Sequence, residues 1–95
     1  MLQKHTHGPT TAVTFRIPAP LKAKGITLVG EFNNWSETAT PLSLSADGWS
    51  ITLELPQGHE YEYRYLADGA NWLNDWDADR YVPNELGGAN SVVRT

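Results

Sequence analysis

Two runs of alternating residues, each followed by a tight turn, constrain the fold of this chain more than any other feature. In the first run, Trp49 to Leu55, apolar residues alternate with Ser, Thr and Glu. In the second, Tyr61 to Ala67, three tyrosines and an alanine alternate with Glu, Arg and Leu. A period of two is typical of a β-strand with one buried face. Pro56-Gln57-Gly58 and Asp68-Gly69 are turn sequences, so the two runs predict consecutive strands.

The rest of the chain extends this all-β pattern. Thr11 to Ile17 alternates in the same way, Ile26 to Gly30 is a short β-branched run, and Ser91 to Arg94 has the composition of a last strand. Since no window carries an apolar stripe of helical period, we predict an antiparallel β-sandwich of six or seven strands. Residues 1–10 show no periodicity and are predicted to be a flexible tail, and residues 11–95 a single domain.

Composition excludes several classes of function. Seven basic residues against 11 acidic ones give a net charge of -4, whereas nucleic-acid binding and docking on anionic membranes both need basic surfaces. No apolar run approaches the length of a membrane span, and the N-terminus is too polar for a signal peptide. The absence of cysteine excludes disulfides and fits a reducing compartment, so we expect a cytoplasmic protein.

Catalytic and metal-binding motifs are also missing. Asp75, Asp77 and Asp79 resemble the start of a calcium loop, but the positions that need Gly and Glu hold Arg80 and Leu86. We therefore interpret this segment as a solvated loop in which Arg80 pairs with one carboxylate. The sequence has no nucleophile elbow, phosphate-binding loop or dinucleotide fingerprint. We predict no catalysis, no metal and no cofactor.

The aromatic residues point towards binding instead. Trp35 lies in the polar loop F-N-N-W-S and Trp72 follows the Asp68-Gly69 turn, so no alternation directs either ring inward. Two indoles in polar loops can form a planar platform for the apolar face of a sugar ring; the alternative is that both are core residues. Trp49 begins an alternating strand and is assigned to the core, while the local pattern does not decide the place of Trp76.

Polar side chains are available to complete such a platform. Arg64 faces outward if the tyrosines of its strand face inward, and Asn90 directly precedes the last strand. Guanidinium and amide groups are suitable hydrogen-bonding partners for sugar hydroxyls.

Taken together, several motifs resemble a known family. They are L-V-G-E-F-N-N-W ending at Trp35, the D-G-W turn, Y-R-Y-L-A-D-G over residues 63–69, N-D followed by A-D-R-Y-V-P-N over residues 78–84, and G-G-A-N-S-V-V over residues 87–93. This order is similar to that of carbohydrate-binding module family 48, which includes the isoamylase-type N-terminal domains and the glycogen-binding domains of AMP-activated protein kinase β subunits. The resemblance covers nearly the whole chain from Thr11.

The resemblance implies an immunoglobulin-like β-sandwich that binds α-1,4-glucan such as glycogen, starch or maltooligosaccharides without catalysis. The family's two stacking tryptophans match Trp35 and Trp72, its basic strand residue matches Arg64, a projecting leucine matches Leu86 and a hydroxyl-binding asparagine matches Asn90. Arg64 stands where the kinase modules have lysine, and Gly88 where they have threonine.

The sequence leaves a second function open. The same sandwich could be an interaction or scaffold domain that associates with a glucan-active enzyme or a kinase-type complex. Retention on glycogen in the first case, and co-elution with a protein in the second, would separate the two hypotheses.

Overall fold

The computed structural model describes residues 2–18, 22–84 and 88–95. Within these residues it contains nine strands and a single 3₁₀ turn over Glu31–Asn33. The strands are β1 Leu2–His7, β2 Thr10–Pro18, β3 Ile26–Gly30, β4 Ser43–Ser45, β5 Gly48–Pro56, β6 Glu60–Ala67, β7 Asn71–Leu73, β8 Arg80–Pro83 and β9 Ala89–Arg94.

The strands form two antiparallel sheets. The first sheet has the order β1-β2-β5-β4, and the second has the order β3-β6-β9-β8. The short strand β7 also pairs with β6, beyond the part of β6 that pairs with β9. The predicted all-β sandwich is confirmed. The strand count is higher than six or seven because β4, β7 and β8, at three or four residues each, are too short to show a period in the sequence.

The core lies between the two sheets and is built from the alternating faces that the sequence predicted. Val13, Phe15 and Ile17 of β2 face Tyr63 and Tyr65 of β6, and all five are at most 1% exposed. Phe15 and Tyr63 meet edge to face with their centroids 5.1 Å apart, a favoured geometry for aromatic pairs.

Trp49 also lies in the core, as predicted, with 6% of its surface exposed. Phe32, from the loop after β3, packs on the edge of the same cluster against Phe15 and Tyr61.

The prediction of a flexible tail over residues 1–10 is corrected by the structure. Residues Leu2–His7 form β1, which pairs with β2 along its whole length from Leu2 opposite Phe15 to His7 opposite Thr10. Only Leu2 packs against the core, and the other side chains of β1 are exposed. The strand is thus held by backbone pairing rather than by an apolar face, which is why hydrophobic periodicity did not reveal it.

The outer face of the second sheet carries a small apolar layer of its own. Val29 lies opposite Arg64 in the sheet, and Leu66 lies opposite Trp72; residues opposite each other share a face. Val29 and Leu66 are only 1% and 3% exposed, although they point away from the core tyrosines. Loops and long side chains therefore cover this outer face, and the candidate site is found there.

Candidate functional site

A shallow cavity of about 360 Å³ opens on the outer face of the second sheet. Its lining consists of Trp35, Arg64, Trp72, Asn84 and Asn90. Four of these five residues are the ones that the sequence analysis selected, and they come from four separate segments of the chain. Trp35 is 40% and Trp72 41% exposed, so neither indole is a core residue. Both indoles present a solvent-exposed aromatic surface to the cavity.

The remaining sequence-predicted site residue, Leu86, lies outside the described residues. Asn84, by contrast, lines the cavity although it was not predicted as a site residue. It ends the A-D-R-Y-V-P-N motif, but the motif assigns it no role, because that role depends on the return of the chain from β8 to β9.

The loop that carries Trp35 is held by a single side chain. The Asn33 amide oxygen accepts from the Gly30 N–H at 3.1 Å, and its nitrogen donates to the Leu28 carbonyl and the Thr40 hydroxyl at 2.9 and 3.0 Å. The Trp35 N–H in turn donates to the Gly30 carbonyl at 2.8 Å. Asn33 therefore ties both ends of the loop to β3, which fixes the base from which Trp35 projects.

The backbone at the tip of this loop is unusual. Asn34 and Trp35 both have φ of 57°, in the left-handed region. Asparagine tolerates that region, but for a bulky residue such as Trp35 it is strained by about 1–3 kcal/mol. Two consecutive left-handed residues reverse the chain sharply after the 3₁₀ turn, and the indole emerges at the cavity.

Arg64 lies beside the second indole. Its guanidinium carbon is 5.7 Å from the centroid of the Trp72 ring, within the range of a cation–π contact. The Nε–H of Arg64 is buried and has no hydrogen-bond acceptor among the residues that the structure describes. A buried donor without an acceptor is costly. Because the Nε–H is out of solvent, the guanidinium donors that a ligand in the cavity can meet are those of the terminal Nη groups.

A chain of hydrogen bonds connects the cavity residues Asn84 and Asn90 to Glu62 and Glu31, which lie outside the lining. The Asn90 amide nitrogen donates to the Glu62 carboxylate at 3.0 Å, and its oxygen accepts from the Asn84 amide nitrogen at 3.3 Å. The Glu62 N–H donates to the Glu31 carboxylate at 2.7 Å, and the Gly88 N–H donates to the Asn84 amide oxygen at 3.1 Å. This chain links the start of the Trp35 loop to the turn before β9.

These partners determine the orientation of the Asn90 amide. A carboxylate can only accept, so the Asn90 nitrogen faces Glu62, and the amide oxygen then faces Asn84. Glu62 and Asn84 are thus positioning residues for a group that lines the cavity.

The D-W-D-A-D segment behind the cavity differs from its interpretation as a solvated loop. Asp75 is 2% exposed, and its carboxylate accepts from the hydroxyls of Tyr63 and Tyr65 at 2.8 and 3.0 Å. Burial, together with the neighbouring charge of Asp75, raises the pKa of both tyrosines above the usual value of 10.0.

Arg80 has different partners from those expected. It pairs with Glu60 at 2.9 Å rather than with a carboxylate of the aspartate segment. Glu60 also accepts from Arg94 at 2.8 Å, and the hydrogen bonds from Arg80 and Arg94 lower the pKa of Glu60 from 4.5. The period-two alternation of β6 predicted that Glu60 faces outward, but not which arginines reach it from β8 and β9.

Among residues 2–18, 22–84 and 88–95, no three side chains of the His, Cys, Asp or Glu type come together in a group that could hold a metal ion. In the same ranges no helix has both the length and the apolar character that crossing a membrane requires.

Comparison with known proteins identifies the family of the chain. Residues 3–82 match the family described as carbohydrate-binding module 48 (isoamylase N-terminal domain). Over 71 residues, 75% of this chain, the sequence is 37% identical to 5'-AMP-activated protein kinase subunit beta-1 of Sus scrofa and 35% identical to that of Homo sapiens. Subunit beta-2 of Mus musculus is 36% identical over 70 residues, 74% of this chain.

The chain corresponds to only part of these relatives. The matched segment spans 54% of the Sus scrofa sequence and 24% of the Homo sapiens and Mus musculus sequences. The family match, in contrast, covers most of this chain and confirms both the resemblance noted from the motifs and the prediction of a binding module rather than an enzyme. The chain belongs to the carbohydrate-binding module 48 (isoamylase N-terminal domain) family, and it is a non-catalytic carbohydrate-binding module.

Proposed function

We propose that this module binds α-1,4-glucan, such as glycogen, starch or maltooligosaccharides, at the cavity on the outer face of its second sheet. The observation that carries the proposal is the pair of half-exposed indoles, Trp35 and Trp72, which line one cavity together with a cation and two amides. Indole faces stack on the C–H face of glucose units, while Arg64, Asn84 and Asn90 offer donors and acceptors for the hydroxyl edges.

The shape of the cavity indicates the strength of binding. The site is open and shallow, and both tryptophans remain in contact with water before the ligand arrives. Such a site releases less ordered water and buries less ligand surface than an enclosed pocket. We expect dissociation constants between about micromolar and millimolar, or about -8 to -4 kcal/mol. In this proposal Leu86, outside the described residues, contacts the concave side of the curved glucan.

Calorimetry with β-cyclodextrin or maltoheptaose tests the proposal. We expect Trp35→Ala and Trp72→Ala each to weaken binding at least tenfold, because each removes one stacking surface. Leu44→Ala is the matched control: it removes an apolar side chain that is 61% exposed on β4, in the other sheet. Undiminished heats for both tryptophan variants, in proteins that keep the circular dichroism of the fold, would refute the platform.

The relatives also suggest a setting for the module. Since their names describe subunits of a protein kinase, we propose that this module operates beside an enzyme in a larger assembly. Purification from extract should then recover an enzyme with the chain, whether or not Trp35 is intact. Recovery of the chain on glycogen alone, with no protein partner, would contradict this second proposal.

A further inference from the structure

Apart from the cavity residues, two more aromatic side chains stand out on the surface. Trp76 is 67% exposed, the most of any large apolar side chain in the described residues, and Tyr81 is 45% exposed. Neither lines the cavity. We call these two residues the Trp76 patch.

The backbone beneath Trp76 is held at the residue before it. The Asp75 N–H donates to the Ser91 hydroxyl at 2.9 Å, and the Asp75 carbonyl accepts from the Tyr81 hydroxyl at 2.6 Å. One carboxylate oxygen of Asp75 accepts from the Asp77 N–H at 3.1 Å, which closes a turn with Trp76 at its centre. The indole is thus carried by a fixed turn.

This turn is anchored to the hydrophobic core. The other carboxylate oxygen of Asp75 accepts from Tyr63 and Tyr65, the two largest fully buried side chains. Burying a carboxylate is costly unless hydrogen bonds compensate it, and here both oxygens are bonded. The fold therefore holds an exposed tryptophan in a constant place, and a ligand that stacks on it loses little conformational entropy of the protein.

Tyr81 belongs to the same surface. Its hydroxyl donates to the Asp75 carbonyl and accepts from the Ala78 N–H at 3.3 Å. Its ring consequently lies along the segment that carries Trp76, with its position fixed by two hydrogen bonds. The Trp76 patch therefore consists of an exposed indole on a hydrogen-bonded turn and a tyrosine whose hydroxyl is bonded to the same turn.

The patch is within reach of the cavity. Four residues separate Trp76 from Trp72, so their Cα atoms are at most about 14 Å apart. The segment that carries Trp76 is also tied to β9 next to the cavity. The Asn74 amide donates at 2.8 Å to the carbonyl of Ala89, the neighbour of the cavity residue Asn90. Tyr81 lies opposite Ser91, and Ser91 opposite Tyr63, so Tyr81 is on the inner side of the second sheet, whereas the cavity is on its outer face. A glucan that leaves the cavity must therefore turn around the edge of the sheet to reach the patch, which requires a chain of several units.

The surroundings of the patch favour a sugar over a protein partner. Between Asn74 and Tyr81 the exposed polar side chains are the carboxylates of Asp77 and Asp79 and the guanidinium of Arg80, and the methyl of Ala78 is the only other apolar group. Protein interfaces have apolar centres that are depleted of charge. Aromatic faces beside exposed carboxylates and a guanidinium instead match a ligand with apolar faces and hydroxyl edges.

We propose that the Trp76 patch is a second contact for α-glucan, used by chains that are long or branched enough to extend beyond the cavity. The inference rests on the proposed function, since it takes the cavity as the first contact. The two contacts together raise the apparent affinity for a polymer above that for a ligand confined to the cavity.

Two ligands of different reach test the proposal. β-Cyclodextrin is a closed ring that occupies the cavity alone, whereas glycogen offers long and branched chains. We expect Trp76→Ala to leave calorimetric binding of β-cyclodextrin unchanged and to weaken glycogen binding, measured by affinity electrophoresis, by about two- to tenfold. Trp76→Phe should keep part of the glycogen affinity, and Leu44→Ala should change neither measurement.

Each other outcome has a definite meaning. Unchanged glycogen affinity in Trp76→Ala overturns the second contact, and so does an equal loss for both ligands, which would mean that Trp76 acts through the cavity. Trp76→Gln repeats the test if alanine disturbs the turn. Failure of the proposed function shows itself separately, as full β-cyclodextrin affinity in Trp72→Ala.

Discussion

At the scale of single residues, Gly30 is a position with no room for a side chain. A Cβ atom at this position would lie 2.7 Å from the Glu62 carbonyl oxygen and 2.8 Å from the Tyr63 Cβ. Gly30 is in an extended conformation, so it is the lack of space, not the backbone angle, that requires glycine. The residue joins β3 to the Trp35 loop, and the requirement comes from packing beneath the site.

We expect Gly30→Ala to lower the free energy of unfolding by about 1–3 kcal/mol, because the methyl group must push β3 and β6 apart. Urea denaturation followed by fluorescence measures the change. Gly25→Ala is the control, since a Cβ at Gly25 meets no atom within 4 Å. Equal stability of the two variants would show that β3 moves aside without cost.

At the scale of elements, the site depends on how β6, β9 and the turn before β9 are joined. Asn90 receives its orientation from Glu62 on one side and from Asn84 on the other. The backbone N–H of Glu62 also donates to the Glu31 carboxylate. A change at Glu62 is thus transmitted to the amide that lines the cavity, although Glu62 is not itself part of the lining.

We expect Glu62→Ala to weaken β-cyclodextrin binding about fivefold, the effect of losing about 1 kcal/mol of hydrogen bonding, because the Asn90 amide is then free to rotate. Glu62→Gln keeps an acceptor, so its affinity for β-cyclodextrin should lie between those of the wild type and Glu62→Ala. Glu54→Ala removes the same charge from the first sheet, where Glu54 contacts His7 and Thr10, and should leave affinity intact. Wild-type affinity in Glu62→Ala would contradict the positioning role.

The elements also show what could be predicted from the sequence. The long strands β2, β5 and β6 were predictable because each has a buried face with period two, and the outward direction of Arg64 followed from the inward tyrosines. β1 was missed because it has no buried apolar face: only Leu2 packs against the core. The buried state of Asp75 was missed because its partners, Tyr63 and Tyr65, lie ten or more residues away.

Some residues of the candidate site could likewise be predicted from the sequence, and others could not. Trp35 and Trp72 could be selected because aromatic residues in polar loops conflict with the local pattern. Asn84 and Glu62 could not, since an ordinary polar residue gains its role only from the neighbours that the fold supplies. The cavity itself required four segments to meet, which no local pattern contains.

At the scale of the whole molecule, the buried tyrosines couple stability to alkaline pH. The pKa values of Tyr63 and Tyr65 are raised in the folded protein by burial and by Asp75, whereas in the unfolded chain both ionise near pH 10. Above that pH the unfolded chain has released protons that the folded protein still holds. The contribution of these groups is complete below about pH 10 and declines as the pH rises further.

We therefore expect the free energy of unfolding to fall above about pH 10 by about 1.4 kcal/mol per pH unit for each of the two tyrosines. Urea denaturation at several pH values measures the slope. Tyr65→Phe removes one ionising group and should halve it. A stability that stays level through this range would show that the hydroxyls ionise inside the fold.

Strand β6 gives its odd-numbered positions to the interior and its even-numbered ones to the cavity side. A shift of the strand by one residue would exchange these two sets. The tyrosine side chains would then point outward, and Glu62 and Arg64 would point into the core between the two sheets. Assembly of the domain and assembly of the proposed sugar-binding surface are consequently one event. Ligand preference can diversify through point substitutions at the even positions, whereas insertions and deletions are confined to the connecting loops.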